Sequence, residues 1–125
     1  MNNQKLAGLW IDTEKAIVAK NHDEQSASEF FLCDPVKHEI QHGNSNEHTG
    51  NNAEQTNKRK FFKEIAELLV NTEKVLITGP GTIQEELKSH LLSTPEYKDL
   101  DITLQTSQQM GDQQVLETVK SHFGN

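Results

Sequence analysis

Hydrophobic positions are concentrated in two parts of the chain, and a polar stretch separates them. In the first part, apolar runs at residues 6–11, 16–19 and 29–33 alternate with polar turns. This pattern predicts three short strands in an antiparallel meander. Residues 34–57 are rich in Asn, His and Gly and contain few large apolar side chains. We therefore expect a long polar loop there.

The second part, residues 58–123, alternates helix-like and strand-like patterns. Apolar runs at 74–78 and 101–105 predict strands, and the last helical stripe predicts a helix that begins at Gly111 or Asp112. Thr82 and Glu85 have the spacing of a capping box at the start of the middle helix. The first helix is expected to begin near Lys58, because five apolar side chains share one helical face: Phe61, Phe62, Ile65, Leu68 and Leu69.

The predicted order of elements is three strands, a loop, and then helix, strand, helix, strand, helix. Strands that alternate with helices imply right-handed crossovers and a parallel portion of the sheet. With the meander, this gives a five-stranded mixed sheet with helices on both faces, which is an α/β fold with three α/β/α layers. The order is that of a ribonuclease H-like motif. A length of 125 residues fits a single domain, residues 1–125.

Composition narrows the classes of function. Twelve Lys and Arg against nineteen Asp and Glu give a net charge of -7, which argues against a broad nucleic-acid-coating face and against DNA as a partner. No run approaches the roughly 18 apolar residues of a membrane span, so no membrane partner is expected. The N-terminus lacks the apolar core of a signal peptide, and Cys33 is the single cysteine. These features predict a cytoplasmic protein.

A basic cluster follows the polar stretch directly. Lys58, Arg59 and Lys60, followed by Lys63, are the candidate binding residues for RNA or another phosphate-bearing partner. The alternative is a solvated first turn of a helix. Cations are unfavourable near a helix N-terminus, where the helix dipole prefers anions, and this conflict favours an anionic partner.

An alternative function rests on histidines in the polar stretch. His38-Glu39-x-x-His42, with His48 further on, has the spacing of a zinc hydrolase in which Glu39 would act as the base. Ser45 stands where the third-ligand pattern needs a glycine, and the segment lacks the apolar face of an active-site helix. Solvated loop histidines are therefore the preferred interpretation. No metal or other cofactor is expected.

Two further candidate sites lie at the ends of predicted strands. Asp12 ends the first predicted strand and is a candidate metal ligand of a nuclease, but the strand at 74–78 ends without a carboxylate to join it. The Gly79-Pro80-Gly81-Thr82 turn precedes a helix, where backbone amides can bind phosphate. It lacks the lysine of a Walker A loop. A tight structural turn is the preferred interpretation.

The chain resembles a known family at several places. Residues 77–87, which contain the Gly-Pro-Gly passage, look like the middle domain of the release factor and Pelota group. Residues 8–12 and 16–18, together with the closing 119–123, are similar to small bacterial proteins labelled "translational machinery protein", which are single copies of that domain. The resemblance implies the ribonuclease H-like architecture and a role in translation.

The resemblance also bears on activity. Release factors carry a Gly-Gly-Gln tripeptide before the long helix, whereas the matching segment here, residues 49–55, has one glycine, and its glutamine is separated from it. Pelota-type middle domains also lack the tripeptide and bind the ribosome without hydrolysis. We therefore expect a non-enzymatic, translation-related protein that contacts RNA or the ribosome through residues 34–60.

Overall fold

The computed structural model describes residues 4–22, 27–38 and 50–123, with residues 27–28 and 50–56 described by their backbone. The regular elements alternate as the sequence predicts, with one additional short strand and one 3-10 helix. In chain order they are β1 (Leu6–Ile11), β2 (Lys15–His22), β3 (Ala27–Leu32), β4 (Val36–Lys37), α1 (Gly50–Leu68), β5 (Lys74–Gly79), α2 (Ile83–Leu92), the 3-10 helix (Pro95–Tyr97), β6 (Asp101–Thr106) and α3 (Asp112–His122).

The strands form one mixed sheet in the order β3-β2-β1-β5-β6. β1 pairs antiparallel with β2 and parallel with β5, and β5 pairs parallel with β6. This arrangement confirms the predicted mixed sheet. The prediction of five strands missed β4, a two-residue strand that pairs with the start of β2 through Ala16 and Val36.

Two hydrophobic clusters on opposite faces of the sheet make the three layers. Alternate β1 residues point to opposite faces, so β1 is buried along its whole length. Leu9 and Ile11 belong to the larger cluster, which the side chains of α1 and α2 complete. Trp10 belongs to the smaller cluster with Val115 and Val119 of α3. The predicted α/β/α architecture is therefore confirmed.

The first helix begins earlier than predicted. Helix α1 starts at Gly50, eight residues before Lys58, so part of the expected loop at 34–57 is helical. The apolar stripe starts only at Phe61, and the hydrophobic period therefore cannot locate the polar first turns of the helix. None of the helices that the structure describes is long and apolar enough to cross a membrane.

β2 is longer than the predicted strand at 16–19 because its polar end is buried with specific partners. The Nζ of Lys20 donates a hydrogen bond to the carbonyl oxygen of Leu68 at 2.9 Å. The Oδ1 of Asn21 accepts from the backbone N–H of Leu6 at 2.7 Å. Both side chains are 6 % exposed. Hydrogen bonds of this kind offset the desolvation of buried polar groups and let a polar sequence continue a strand.

Candidate functional site

The structure places the predicted basic cluster in the middle of α1. Lys58 is the ninth residue of a helix that begins at Gly50, so Lys58, Arg59 and Lys60 do not lie in the first turn. The prediction of a first-turn cluster is wrong. The helix dipole acts mainly within the first and last turns. The argument from the dipole for an anionic partner therefore no longer applies, and the case for binding depends on the local surroundings of each side chain.

One member of the cluster has a partner on α2. The Nζ of Lys58 donates a hydrogen bond to the Oε1 of Glu86 at 2.7 Å, and the two side chains are 43 % and 46 % exposed. Such an exposed ion pair contributes at most about 1 kcal/mol to stability. Its charges nevertheless cancel locally, so Lys58 is a weaker candidate for binding an external anion than the sequence predicts.

Two other cations of α1 stand side by side on its exposed surface. Arg59 and Lys63 are exposed and lie four residues apart, which puts them on one face of the helix. Neither makes an ion pair or a hydrogen bond within the part of the chain that the structure describes. The basic surface that an anion can reach is therefore centred on Arg59 and Lys63.

These two cations border a cleft of about 600 Å³ between α1 and the segment that runs from α2 into the 3-10 helix. We call it the α1–α2 cleft. Buried Ala66 and Tyr97 supply apolar lining, and the Tyr97 hydroxyl donates to the carbonyl oxygen of Ala66 at 2.6 Å. The other lining residues are Glu67, Val70, His90, Thr94 and Glu96. The cleft therefore combines two cations, two carboxylates and an apolar lining.

His90 connects the cleft to the core. Its ring contacts Phe62 with centroids 5.5 Å apart, and it lies one turn after Glu86 on the same side of α2. Burial lowers the pKa of His90 below its usual value. At neutral pH the ring is therefore mainly uncharged and does not add a third cation to the cleft.

Two contacts fix the ring of His38 against the turn between β1 and β2 and against α1. Its Nδ1 donates a hydrogen bond to the carbonyl oxygen of Thr13 at 2.8 Å, and its ring stacks on Phe61 with centroids 4.9 Å apart. Glu39, His42 and His48 lie outside the described residues. Among the described residues, no group of three or more His, Cys, Asp or Glu side chains is arranged to hold a metal ion. The zinc hydrolase alternative has no support from the described part of the chain.

The carboxylate of Asp12 closes the turn between β1 and β2. Its Oδ1 accepts hydrogen bonds from the backbone N–H groups of Glu14 and Lys15, at 2.8 and 2.9 Å. Aspartate commonly stabilises turns by accepting hydrogen bonds from amides further along the chain. The position of Asp12 is thus explained by the hairpin, without a nuclease site.

The Gly79–Thr82 turn is shaped by close packing. A Cβ atom added to Gly79 would overlap the carbonyl oxygen of Ile11, so a larger residue cannot occupy this position without moving the backbone. Thr82 is the N-cap of α2, but its side chain makes no capping hydrogen bond. The predicted capping box with Glu85 is therefore wrong. The first glycine of the turn serves packing between β1 and β5.

Sequence reasoning missed the role of Gln84. The side chain is 4 % exposed, and its Nε2 donates to the carbonyl oxygen of Gln105 at 2.7 Å, which ties α2 to β6. Its buried Oε1 has no hydrogen-bond partner among the residues that the structure describes. A glutamine within a helical stripe looks solvent-exposed in sequence, and no sequence signal would have identified this contact.

Comparisons with known proteins identify the fold. No protein-family model matches the chain, and no curated protein matches it. Pelota from Archaeoglobus fulgidus superposes with a TM-score of 0.58 at 14 % identity, covering 93 % of this chain and 30 % of that one. Pelota from Thermoplasma acidophilum gives 0.59 at 13 % identity, covering 95 % and 33 %. The archaeal translation termination factor aRF1 gives 0.57 at 13 % identity, covering 92 % and 33 %.

The chain has a release-factor/Pelota-like fold. This likeness confirms the fold that the resemblance at residues 77–87 implied. The chain spans about a third of the length of these structures. Identities of 13–14 % support a shared architecture and do not transfer any activity.

Proposed function

We propose that this protein is a non-enzymatic, translation-related protein that contacts ribosomal RNA through the exposed basic side chains of α1. The observation that carries the proposal is the pair of exposed cations, Arg59 and Lys63, which have no ion-pair partner among the described residues and lie at the mouth of the α1–α2 cleft. They stand on a fold shared with Pelota and with a protein described as a translation termination factor. We extend the proposal to a relationship with the small bacterial single-domain proteins that the sequence resembles.

The charge distribution limits the kind of contact. The net charge of -7 opposes a broad electrostatic association with RNA, so the contact is local and involves few phosphates. Arginine and lysine side chains bind phosphate oxygens without regard to base sequence. Arg59 and Lys63 are the main contacts in this proposal, and Lys60 lies on the same helix. Lys58 contributes less because Glu86 already neutralises it.

The sequence and backbone of the first turns of α1 favour a binding role that does not include peptide release. Gly50 is the single glycine of the segment that corresponds to the release-factor tripeptide. The backbone from Gly50 to Gln55 is helical. Water-activating chemistry of the release-factor kind is therefore not part of this proposal.

The test is sedimentation of a cell lysate through a sucrose gradient at low and moderate salt, with the protein detected in every fraction. We expect the protein to travel with ribosomes or a subunit at low salt and to leave them as salt rises, because phosphate contacts depend on counterion release. The Arg59→Glu/Lys63→Glu variant should stay at the top of the gradient. Wild-type protein that stays at the top at both salt concentrations would contradict the proposal.

A matched control has the same change in net charge. Lys74→Glu/Lys120→Glu replaces two exposed cations, one on β5 and one on α3, and should sediment like the wild type. Equal losses in the two double variants would show that net charge, and not the α1 site, controls association.

A further inference from the structure

The outer edge of β6 has features that favour pairing with another strand. β6 lies at the end of the sheet, and no described strand pairs with its outer side. Its register with β5 is regular over six consecutive pairs, whereas the pairing of β2 with β3 shifts near Lys20. Bulges, prolines and lysines normally protect exposed edges, and the β6 sequence DITLQT contains neither Pro nor Lys.

Backbone hydrogen bonds show which groups β6 presents at this edge. The N–H of Asp101 donates to the carbonyl oxygen of Glu73, and the N–H of Ser107 donates to that of Gly79, so both residues point toward β5. The direction alternates along a strand. Ile102, Leu104 and Thr106 therefore direct their N–H and C=O groups outward, where a second strand can pair with them.

The flank of α2 above this edge carries an exposed hydrophobic side chain. Gln84, Lys88 and Leu92 recur every four residues and share one flank of the helix. The hydrogen bond from Gln84 to Gln105 shows that this flank faces β6. Leu92 is 41 % exposed. Among the described residues, the large hydrophobic side chains that are exposed are Leu92 and Phe31, and Phe31 is 40 % exposed.

We propose that the outer edge of β6 and this flank of α2 form the two-fold interface of a homodimer. Antiparallel pairing centred on Leu104 places Leu104 opposite its copy and Ile102 opposite the second copy's Thr106. All three outward-pointing residues then form ladder hydrogen bonds. Ile102 and Leu104 pack against the larger cluster, so the Leu104 pair and the two Ile102–Thr106 pairs lie on the face that α2 covers. Asp101 lies opposite Ser107, and no like charges oppose each other.

The same axis brings the two α2 helices into contact. Helix α2 packs on β5 and β6, and neighbouring strands are about 4.8 Å apart, so the two helices would lie about 10 Å apart. This separation is within the range for packed helices. The hydrogen bond between Gln84 and Gln105 shows that these two residues are level with each other. The axis at Leu104 lies one strand residue, or about 3.3 Å, from Gln105, and this distance corresponds to about two residues along α2 from Gln84. The axis then passes between Glu85 and Lys88, and each Glu85 faces the Lys88 of the other copy.

Occupancy by a second copy is favoured because the surface complements itself. The outward backbone groups, the Leu104 side chains and the opposite charges of Glu85 and Lys88 all match when the two copies are related by this one axis. The axis that aligns the two β6 strands is also the axis that brings Glu85 opposite Lys88, and an exposed edge strand alone does not require this agreement. Association through β6 does not involve Arg59 and Lys63, so it is independent of the proposed RNA contact.

The test is the molar mass of the intact protein by light scattering during size exclusion, and by sedimentation equilibrium, over a range of concentrations. We expect the mass to approach twice 14.1 kDa as concentration rises. Leu92→Glu should weaken the dimer at least about tenfold, because it places a charge in the interface. Phe31→Glu removes an equally exposed hydrophobic side chain on β3 and should leave the dimer unchanged.

A charge exchange tests the register. Lys88→Glu should weaken the dimer by placing like charges opposite each other, and Glu85→Lys/Lys88→Glu should restore it. Circular dichroism checks that each variant is folded. A wild-type protein that remains a monomer at about 1 mM would overturn the proposal. Equal weakening by Leu92→Glu and Phe31→Glu would also overturn it, and failure of the double exchange to restore the dimer would refute the register centred on Leu104.

Discussion

Replacing Gly8 with alanine tests the packing between the sheet and α3. Gly8 lies in the central strand β1, opposite Ala19 of β2 and Leu76 of β5. A Cβ atom added here would lie 2.5 Å from Cγ2 and 2.9 Å from Cγ1 of Val119. Both distances are well inside van der Waals contact, so α3 or the strand must move. Val119 cannot easily turn its methyl groups away, because a β-branched side chain in a helix has one strongly preferred rotamer.

The expected loss of stability follows from two opposing effects. Overpacking of a well-packed core costs about 1–3 kcal/mol. Replacing glycine with alanine reduces the entropy of the unfolded chain and returns about 0.4–1 kcal/mol. The net prediction for Gly8→Ala is a loss of about 1.5 kcal/mol. With a urea slope near 1.5 kcal/mol/M, the unfolding midpoint should fall by about 1 M.

Trp10 provides the assay, because it is the single tryptophan and lies two residues from Gly8 on the same face of β1. Urea unfolding is followed by its fluorescence and by circular dichroism, and the slope should be unchanged. Gly81→Ala is the matched control, since a Cβ atom there meets nothing within 4 Å. Its midpoint should move little.

A double mutant determines whether the overlap with Val119 is the cause. Val119→Ala alone should cost about 2 kcal/mol through loss of two buried methyl groups. In Gly8→Ala/Val119→Ala the overlapping methyl groups are absent, so the combined loss should be at least about 1 kcal/mol smaller than the sum. Additive losses, or a Gly8→Ala protein as stable as the wild type, would refute the reasoning.

Three further predictions concern other contacts. Gly79→Ala should destabilise the protein more than Gly8→Ala, because the overlap is with the backbone oxygen of Ile11; urea midpoints compare the two directly. Tyr97→Phe removes the hydroxyl donor from the Ala66 carbonyl, which keeps the hydrogen bond from the N–H of Leu69, and should therefore cost about 0.5–1.5 kcal/mol by the same assay. The lowered pKa of His90 contributes stability that is present above the unfolded value of 6.5 and is lost as pH falls through 6.5 toward the folded pKa. His90→Gln should therefore show a smaller fall in midpoint between pH 7.5 and 5.5 than the wild type.

The sequence predicted those elements whose apolar positions follow a clear period. The stripe from Phe61 to Leu69 located the core-facing part of α1, and the runs at 74–78 and 101–105 located β5 and β6. The start of α1 was missed because residues 50–57 carry no large apolar side chain to reveal a period. The end of β2 was missed because Lys20 and Asn21 look like turn residues until their distant partners, Leu68 and Leu6, are known.

The candidate site is harder to predict from the sequence than the helices and strands are, because it depends on contacts between α1 and α2. The sequence identifies Lys58, Arg59 and Lys60 as neighbours, but it cannot show that Glu86 neutralises Lys58 while Arg59 has no ion-pair partner among the residues that the structure describes. That difference arises when α1 and α2 pack side by side on the sheet. As a result, the basic surface that an anion can reach is centred on Arg59, a member of the predicted cluster, and on Lys63, one helical turn further on at the rim of the cleft.

The low hydrophobic content of the chain has a structural explanation, because helices cover one face of the sheet more fully than the other. Only 33 % of the residues are hydrophobic, which is low for a globular domain. Helix α3 packs on β1, β2 and β3, and the opposite face, under α1 and α2, holds the larger cluster. On the α3 side, Thr103 and Gln105 of β6 are exposed. β6 is therefore polar on one face, and no described strand pairs with its outer edge, so both features make the strand available for a partner.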